Sequence, residues 1–265
     1  MDPFLQKGIK MNIQLLLGDY KKVLASMPSV DLILTSPPYN LGRSRTKKTG
    51  KRAKGQFDGC NWGGISGYVD NLPELEYQQQ QQQFLKWAIS RLKDSGNLLY
   101  IHKIRKKHGR ELDPMQWISP LVSEQVLINR ERIVWDRGST HNHTKAYVYS
   151  QSERIYRLTK PVPLKSIYFQ NQDLFWKNKR NSGAGDVWYL AKETNNTHNA
   201  PFPLALARQC IRMYCPLNGQ VCDPYSGSGT TMLAAYLENR AFIGAEIMPK
   251  YYKTANDRLT KRNQQ

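Results

Sequence analysis

The stretch QVCDPYSGSGTTMLAAYLENRAFIGAEI, residues 220–247, constrains the fold of this chain more than any other. It reads as a strand Gln220–Asp223, a tight Ser226-Gly-Ser-Gly turn, a helix Thr231–Glu238 and a second strand Ala241–Glu246. Two strands joined through a helix belong to an α/β fold with a mostly parallel sheet. In such sheets ligands sit beyond the carboxyl ends of the strands. The turn therefore falls where a ligand is expected.

The same alternation extends along the chain. VDLILT, Val30–Thr35, is a buried strand. Leu75–Leu92 is a helix in which Phe84, Leu85, Ala88, Ile89 and Leu92 recur at helical spacing, with the glutamine run beside them as its polar face. Asn97–His102 is a second strand, Trp117–Val122 a short helix, and Val126–Trp135 and Ala146–Leu158 are β-rich. Residues 161–185 have weak periodicity and read as an irregular insertion, followed by a helix Pro203–Tyr214 and a C-terminal helix after Glu246. No repeat and no long linker divides the chain, so 1–265 is read as one domain with helices on both faces of the sheet.

The glycine turn alone leaves several ligands open. Glycine lets the backbone approach a ligand, and the helix that follows offers free N–H donors. No Lys-Ser/Thr follows, so this is not a P-loop, and Met232 replaces the third glycine of the dinucleotide fingerprint. Glu246 closes the next strand 17 residues after Gly229. It is either a surface acid or a ligand for vicinal ribose hydroxyls. A cofactor with a ribose and no required phosphate is implied, and S-adenosylmethionine fits.

A second feature sits at the end of the first buried strand. LTSPPYNLG, residues 34–42, places a hydroxyl, two prolines, an aromatic ring and an amide where the strand stops. The prolines fix φ and withhold two donors. The turn is either a structural cap or a rigid set of acceptors.

Charge points to a polyanionic partner. Lys and Arg number 39 against 21 Asp and Glu, a formal +18. RSRTKKTGKRAK, residues 43–54, carries seven cations and no acid within a long Gly- and Lys-rich loop, 41–72. It reads as a solvated loop, a nuclear-import signal or a grip on a phosphate backbone through Arg43, Arg45, Lys47, Lys48, Lys51, Arg52 and Lys54. The four cysteines have no zinc spacing and read as buried reduced thiols, and no metal is expected. No apolar run spans a membrane and the start lacks a secretory core, so an intracellular protein is expected.

Taken together, TSPPYN and DPYSGSGTT resemble motifs IV and I of the DNA amino-methyltransferases. Their order, with Ser150-xx-Glu153-Arg-Ile-Tyr resembling motif VIII and His198-Asn-Ala-Pro-Phe-Pro resembling motif X between them, is that of the β group. Leu17-Gly18-Asp19 resembles the segment near the cofactor's adenine. The resemblance implies a Rossmann-like methyltransferase sheet, S-adenosylmethionine as cofactor and DNA as partner. It assigns Asp19, His198, Pro201, Phe202, Asp223, Tyr225, Ser226, Gly227, Gly229, Thr230 and Glu246 to the cofactor, with Asp223 on the methionine ammonium. A side chain at Gly227 or Gly229 is expected to strike that cofactor. Tyr225 stands where the family usually has Phe, and 161–185 is a small target-recognition insertion that favours a short or loose site.

Within that resemblance Ser36, Pro37, Pro38 and Tyr39 carry the chemistry. The Ser36 hydroxyl and the Pro37 carbonyl accept the two N–H bonds of an exocyclic amine, and Tyr39 stacks on a base flipped out of the duplex. Ser at this position goes mostly with N4-cytosine, so N4-methylcytosine is the expected product; Asn40 is more familiar from adenine enzymes, and N6-adenine is the alternative. A different class, an inactive nucleic-acid-binding relative, is the other. A homodimer and a cognate restriction endonuclease or chromatin partner are further expectations. The location is cytoplasmic, at the nucleoid, in a bacterium or phage, and nuclear in a eukaryote.

Overall fold

The computed structural model describes residues 11–41, 43–45, 52–54, 71–107, 109–138, 150–167, 185–191 and 202–263, with the backbone alone at 43–45 and 52–54. Eight strands form one sheet: β1 (Ile13–Leu17), β2 (Val30–Thr35), β5 (Leu92–His102), β8 (Ile128–Asp136), β9 (Ser152–Thr159), β10 (Val187–Tyr189), β11 (Gln220–Asp223) and β12 (Ala241–Glu246). Their order is β1-β12-β11-β2-β5-β9-β8-β10. Every pair from β1 to β5 is parallel, as is β8–β10; β9 runs antiparallel to both β5 and β8. The expected mostly parallel α/β sheet is what forms. Two short hairpins, β3 (Arg43–Arg45) with β4 (Arg52–Lys54) and β6 (Arg105–Lys107) with β7 (Arg110–Leu112), lie outside it.

Helices cover both faces because the central strands are apolar on both sides. All six residues of β2 are buried. Leu32 and Leu34 pack with Leu99 and Ile101 of β5 against Leu206 and Ala207 of α4 (Leu204–Tyr214), Ala234 of α5 (Thr230–Leu237) and Ala255 of α6 (Pro249–Asn263). Ile33, Leu98 and Tyr100 face the other way, onto Phe84 and Leu85 of α2 (Glu74–Ser90) and Trp117 and Leu121 of α3 (Met115–Ser123). Each buried leucine contributes about 1.5–3 kcal/mol. Short α1 (Tyr20–Val23) follows β1.

The differences from expectation have local causes. β1 buries only Leu15, so its alternation is weak. β5 begins at Leu92 and not at Asn97, because Leu92 pairs with Val30 while the exposed Lys93-Asp94-Ser95 hides the continuity. The segment 41–72 is not all loop: β3 and β4 pair antiparallel within it. Of 161–185, Leu164–Ser166 is a single 3-10 turn, and most of the rest lies outside the described residues. Cys210, Cys215 and Cys222 are free and buried, and desolvation pushes the Cys215 thiol up to about 12; Cys60 is outside the described residues. Among the described residues no helix is long and apolar enough to cross a membrane.

Candidate active site

The carboxyl ends of β1, β12, β11, β2 and β5 meet at one edge of the sheet, and β9 enters there. Asp223, at the end of β11, is the hub. Its Oδ1 accepts from the Thr35 hydroxyl at 2.7 Å and from the Tyr225 N–H at 3.1 Å, and its Oδ2 accepts from the Thr231 hydroxyl at 2.6 Å. Thr35 is the residue before Ser36, so one carboxylate joins two turns that lie 188 residues apart in sequence. Burial pushes this carboxyl up to about 6 against the pull of those three bonds. A carboxylate has about four acceptor sites. One remains for a further donor.

Glu246 closes β12 on the other side of the glycine turn. Its Oε2 accepts from the Gly227 N–H at 2.7 Å and its Oε1 from the Met248 N–H at 2.7 Å. Burial pushes its carboxyl upward against the pull of backbone hydrogen bonds from Met248, Gly227 and Ile247. Gly227 and Gly229 stand at φ 53° and 79°, left-handed conformations that favour glycine. At 229 the first atom a side chain would meet is Cβ of Ala255 in α6, at 2.7 Å. Helix packing therefore constrains position 229. Gly244, which sequence reasoning passed over, leaves no space between β12 and the Ser226 hydroxyl.

The remaining expected cofactor residues divide. Asp19 caps α1 by accepting from the Lys21 N–H at 3.0 Å, and the adjacent Gly18 N–H donates to the Glu246 carbonyl at 2.9 Å, which brings Asp19 to this edge. Tyr225 packs its ring 5.2 Å from both Tyr20 and Phe84. Ser226 donates to the Asp223 carbonyl at 2.8 Å. Thr230 turns its hydroxyl to Arg258 of α6, and it is Thr231 that reaches Asp223. Phe202 is buried at the entry to α4; His198 and Pro201 lie outside the described residues.

The turn after β2 is held by a chain of hydrogen bonds. Tyr39 donates to Glu153 Oε2 at 2.9 Å, and Glu153 Oε1 pairs with Arg137 at 2.7 Å. Ser36 Oγ lies 2.7 Å from Tyr39 Oη. The direction of that contact follows from donor counting. The carboxylate only accepts, so the one phenolic proton goes to Glu153. Ser36 must therefore donate to Tyr39, and its lone pairs are what it has left to offer a ligand. Tyr77 lies 2.7 Å from both the Pro38 carbonyl and His102 Nε2 and grips the turn's backbone. Burial drives His102 down to about 3, so it is a neutral ring, packed 4.5 Å from Tyr39. Asn40, at φ 54°, donates to the Leu72 carbonyl at 3.0 Å and so ties together the two ends of the 41–72 segment.

Thr35, Thr231, Tyr77, His102 and Arg137 were not singled out from sequence. Thr35 and Thr231 are the end residues of the TSPPYN and DPYSGSGTT motifs; Tyr77 and Arg137 carry no local signal. Asp31 belongs to the opposite end of β2, where it pairs with Lys93 at 2.8 Å and caps the Gln220 N–H at 2.8 Å. Arg43, Arg45, Arg52 and Lys54 sit on β3 and β4, and Lys47, Lys48 and Lys51 lie outside the described residues.

A family model described as DNA methylase matches residues 30–257. The Type II methyltransferase M.ScaI of Streptomyces caespitosus is 22% identical over 276 residues, covering 91% of this chain and 79% of that protein. The DNA adenine methyltransferase YhdJ of Escherichia coli (strain K12) is 26% identical over 273 residues, covering 92% and 80%. The solved PvuII DNA methyltransferase (cytosine-N4-specific) shares the fold with a TM-score of 0.72 at 21% identity, over 93% of this chain and 86% of that one.

Proposed function

This chain belongs to the DNA methylase family, and on that premise we propose that it transfers a methyl group from S-adenosylmethionine to the exocyclic N4 amine of a cytosine flipped out of DNA. The observation that carries the reading is the Thr35–Asp223 bond, which sets the Ser36 turn against the glycine turn. S-adenosylmethionine supplies a methyl carbon on a cationic sulfur, and a similar fold has been solved with it bound. The donor set suits that molecule. Glu246 puts a carboxylate beside the glycine turn for the ribose hydroxyls, and Asp223 has one acceptor site for the ammonium.

The protein's part in the reaction is to hold and polarise the amine. An exocyclic amine is a poor nucleophile because its lone pair is delocalised into the ring. Ser36 Oγ, with its own proton committed to Tyr39, accepts one amine N–H, and the Pro37 carbonyl accepts the other. These bonds aim the nitrogen's electrons out of the base plane and toward the methyl. With S-adenosylmethionine bound, the N–C bond would form as the S–C bond breaks, its electrons leaving with sulfur and the surplus amine proton passing to water. Positioning and electrostatics carry the rate, so no strong base and no cysteine nucleophile is needed.

We assign the basic segment 41–72 to the DNA backbone and 161–185 to target recognition. The Type II relative supports a place beside a restriction endonuclease. Ser36 and the PvuII fold favour cytosine; the relation to YhdJ supports adenine as a second reading. Mass spectrometry of nucleosides from DNA treated with protein and S-adenosylmethionine decides. N4-methylcytosine is expected. N6-methyladenine as sole product overturns the cytosine assignment, and no methylation without cofactor binding makes the chain an inactive relative.

A further inference from the structure

We propose that the β6–β7 hairpin is a second phosphate-binding element, whose tip residues Lys107 and Arg110 grip the backbone of duplex DNA beside the active site. The proposal rests on the DNA-methyltransferase reading above. The hairpin leaves the sheet directly after β5, whose last residue, His102, packs against Tyr39. Since β5 runs parallel to β2, the hairpin emerges at the same edge as Ser36. The basic β3–β4 hairpin follows β2 in the same way. Two cationic hairpins therefore follow the ends of adjacent strands, with the Ser36 turn where β2 stops.

The charges along β6–β7 are not evenly matched. Its three cross-strand pairs are Arg105 with Leu112, Lys106 with Glu111, and Lys107 with Arg110. At the stem, Arg105 is buried, donates to both oxygens of Glu74 at 2.9 and 2.6 Å, and lies 4.7 Å over the Tyr77 ring. In the middle, Lys106 stands 3.6 Å from Glu111. At the tip two cations face each other directly. Like charges in that position destabilise a strand pair. Among the described residues neither Lys107 nor Arg110 forms an ion pair within 4.0 Å. Glu74 is close enough to feel Lys107, but both its oxygens are engaged by Arg105.

A stem locked by a partly buried ion pair and a tip with uncompensated charge is what a preformed anion site requires. The missing counter-charge comes from outside the chain. A phosphodiester fits between an ammonium and a guanidinium fork, which together offer a point charge and paired N–H donors. Such contacts fix the duplex on the protein and carry no sequence information.

The test is DNA affinity as a function of salt, measured by fluorescence anisotropy with the full chain and a short duplex. Lys107→Gln/Arg110→Gln should reduce the slope of log affinity against log salt by about 0.9, the value for one lost phosphate contact, with each single variant losing part of that. Lys107→Arg/Arg110→Lys should keep the wild-type slope. Cofactor affinity should not change, and the melting temperature of the Gln variant should hold or rise, because a repulsive pair is gone. An unchanged slope in the Gln variants overturns the proposal while leaving the methyltransferase reading intact; so does an unchanged slope with altered base preference. Wild-type protein that shows no salt-dependent DNA binding sinks both.

Discussion

Replacing Glu153 by Gln should cripple methyl transfer more than its small change in shape suggests. Arg137 donates to Glu153 and to the backbone carbonyls of Ser150 and Gln151, so it is held in place and offers only donors. A glutamine at 153 must turn its carbonyl oxygen to Arg137 and its NH2 to Tyr39. Tyr39 then accepts from residue 153 and donates to Ser36, which reverses the chain. Ser36 is then left with one lone pair and a loose proton in place of two lone pairs, so it accepts from the amine less well. Losing one preorganised contact costs about 10²–10³ in kcat, and Glu153→Gln should approach Ser36→Ala within that range. Tyr39→Phe should be milder. It keeps the ring and frees Ser36 to rotate; of the two hydrogen bonds it removes, to Ser36 and to Glu153, the one that fixes Ser36 bears on the rate, at about 1 kcal/mol or roughly fivefold. The diagnostic is the double variant: Tyr39→Phe should raise the rate of Glu153→Gln by about tenfold or more, since it removes the relay through which Gln acts. Single-turnover kinetics on the four proteins, with cofactor affinity and melting temperature as controls, measures this. If the double variant is slower than either single, Glu153 acts by packing or by another route and the polarity reasoning fails.

Glu246→Ala should weaken S-adenosylmethionine binding by two orders of magnitude or more, since two hydrogen bonds to a charged group are each worth about 1.5–3 kcal/mol; calorimetry that finds unchanged affinity would place the ribose elsewhere. Cofactor affinity should also fall as pH is lowered through about 6, where Asp223 takes up a proton and can no longer attract an ammonium. The sign for stability is opposite. The folded-state value lies above the ordinary 3.8, so this group's contribution to stability rises as pH falls from about 6 toward 4; an Asp223→Asn variant should lose both dependences. Neutralising Lys47, Lys48, Lys51 and Arg52 together should weaken binding to all DNA sequences alike and flatten the salt slope by roughly 0.9 per lost contact.

How much of this was legible in the sequence follows from where each signal is stored. The strands Val30–Thr35, Gln220–Asp223 and Ala241–Glu246 form with the expected bounds because buried parallel strands are continuous apolar runs. β1 and the β6–β7 hairpin escaped notice because one buries a single leucine and the other is mostly charged. The two motif turns were plain, yet their joining was not, since the Thr35–Asp223 contact spans 188 residues. Glu153 was visible through resemblance, but the chain from Ser36 to Arg137 needs three elements placed together. Gly229 shows the limit of motif reasoning. A side chain at this glycine would meet Ala255 of the last helix, a contact that no motif encodes.

The central claim is that the Ser36 turn and the glycine turn form one site, with the target amine on Ser36 and the methyl donor on Glu246. A crystal structure with duplex DNA and the donor analogue sinefungin tests it most directly. It should show a flipped cytosine with its N4 amine hydrogen-bonded to Ser36 Oγ and the Pro37 carbonyl, and the analogue's ribose hydroxyls on the Glu246 carboxylate. A base seated away from Ser36, or a ribose held by a residue other than Glu246, would contradict the account.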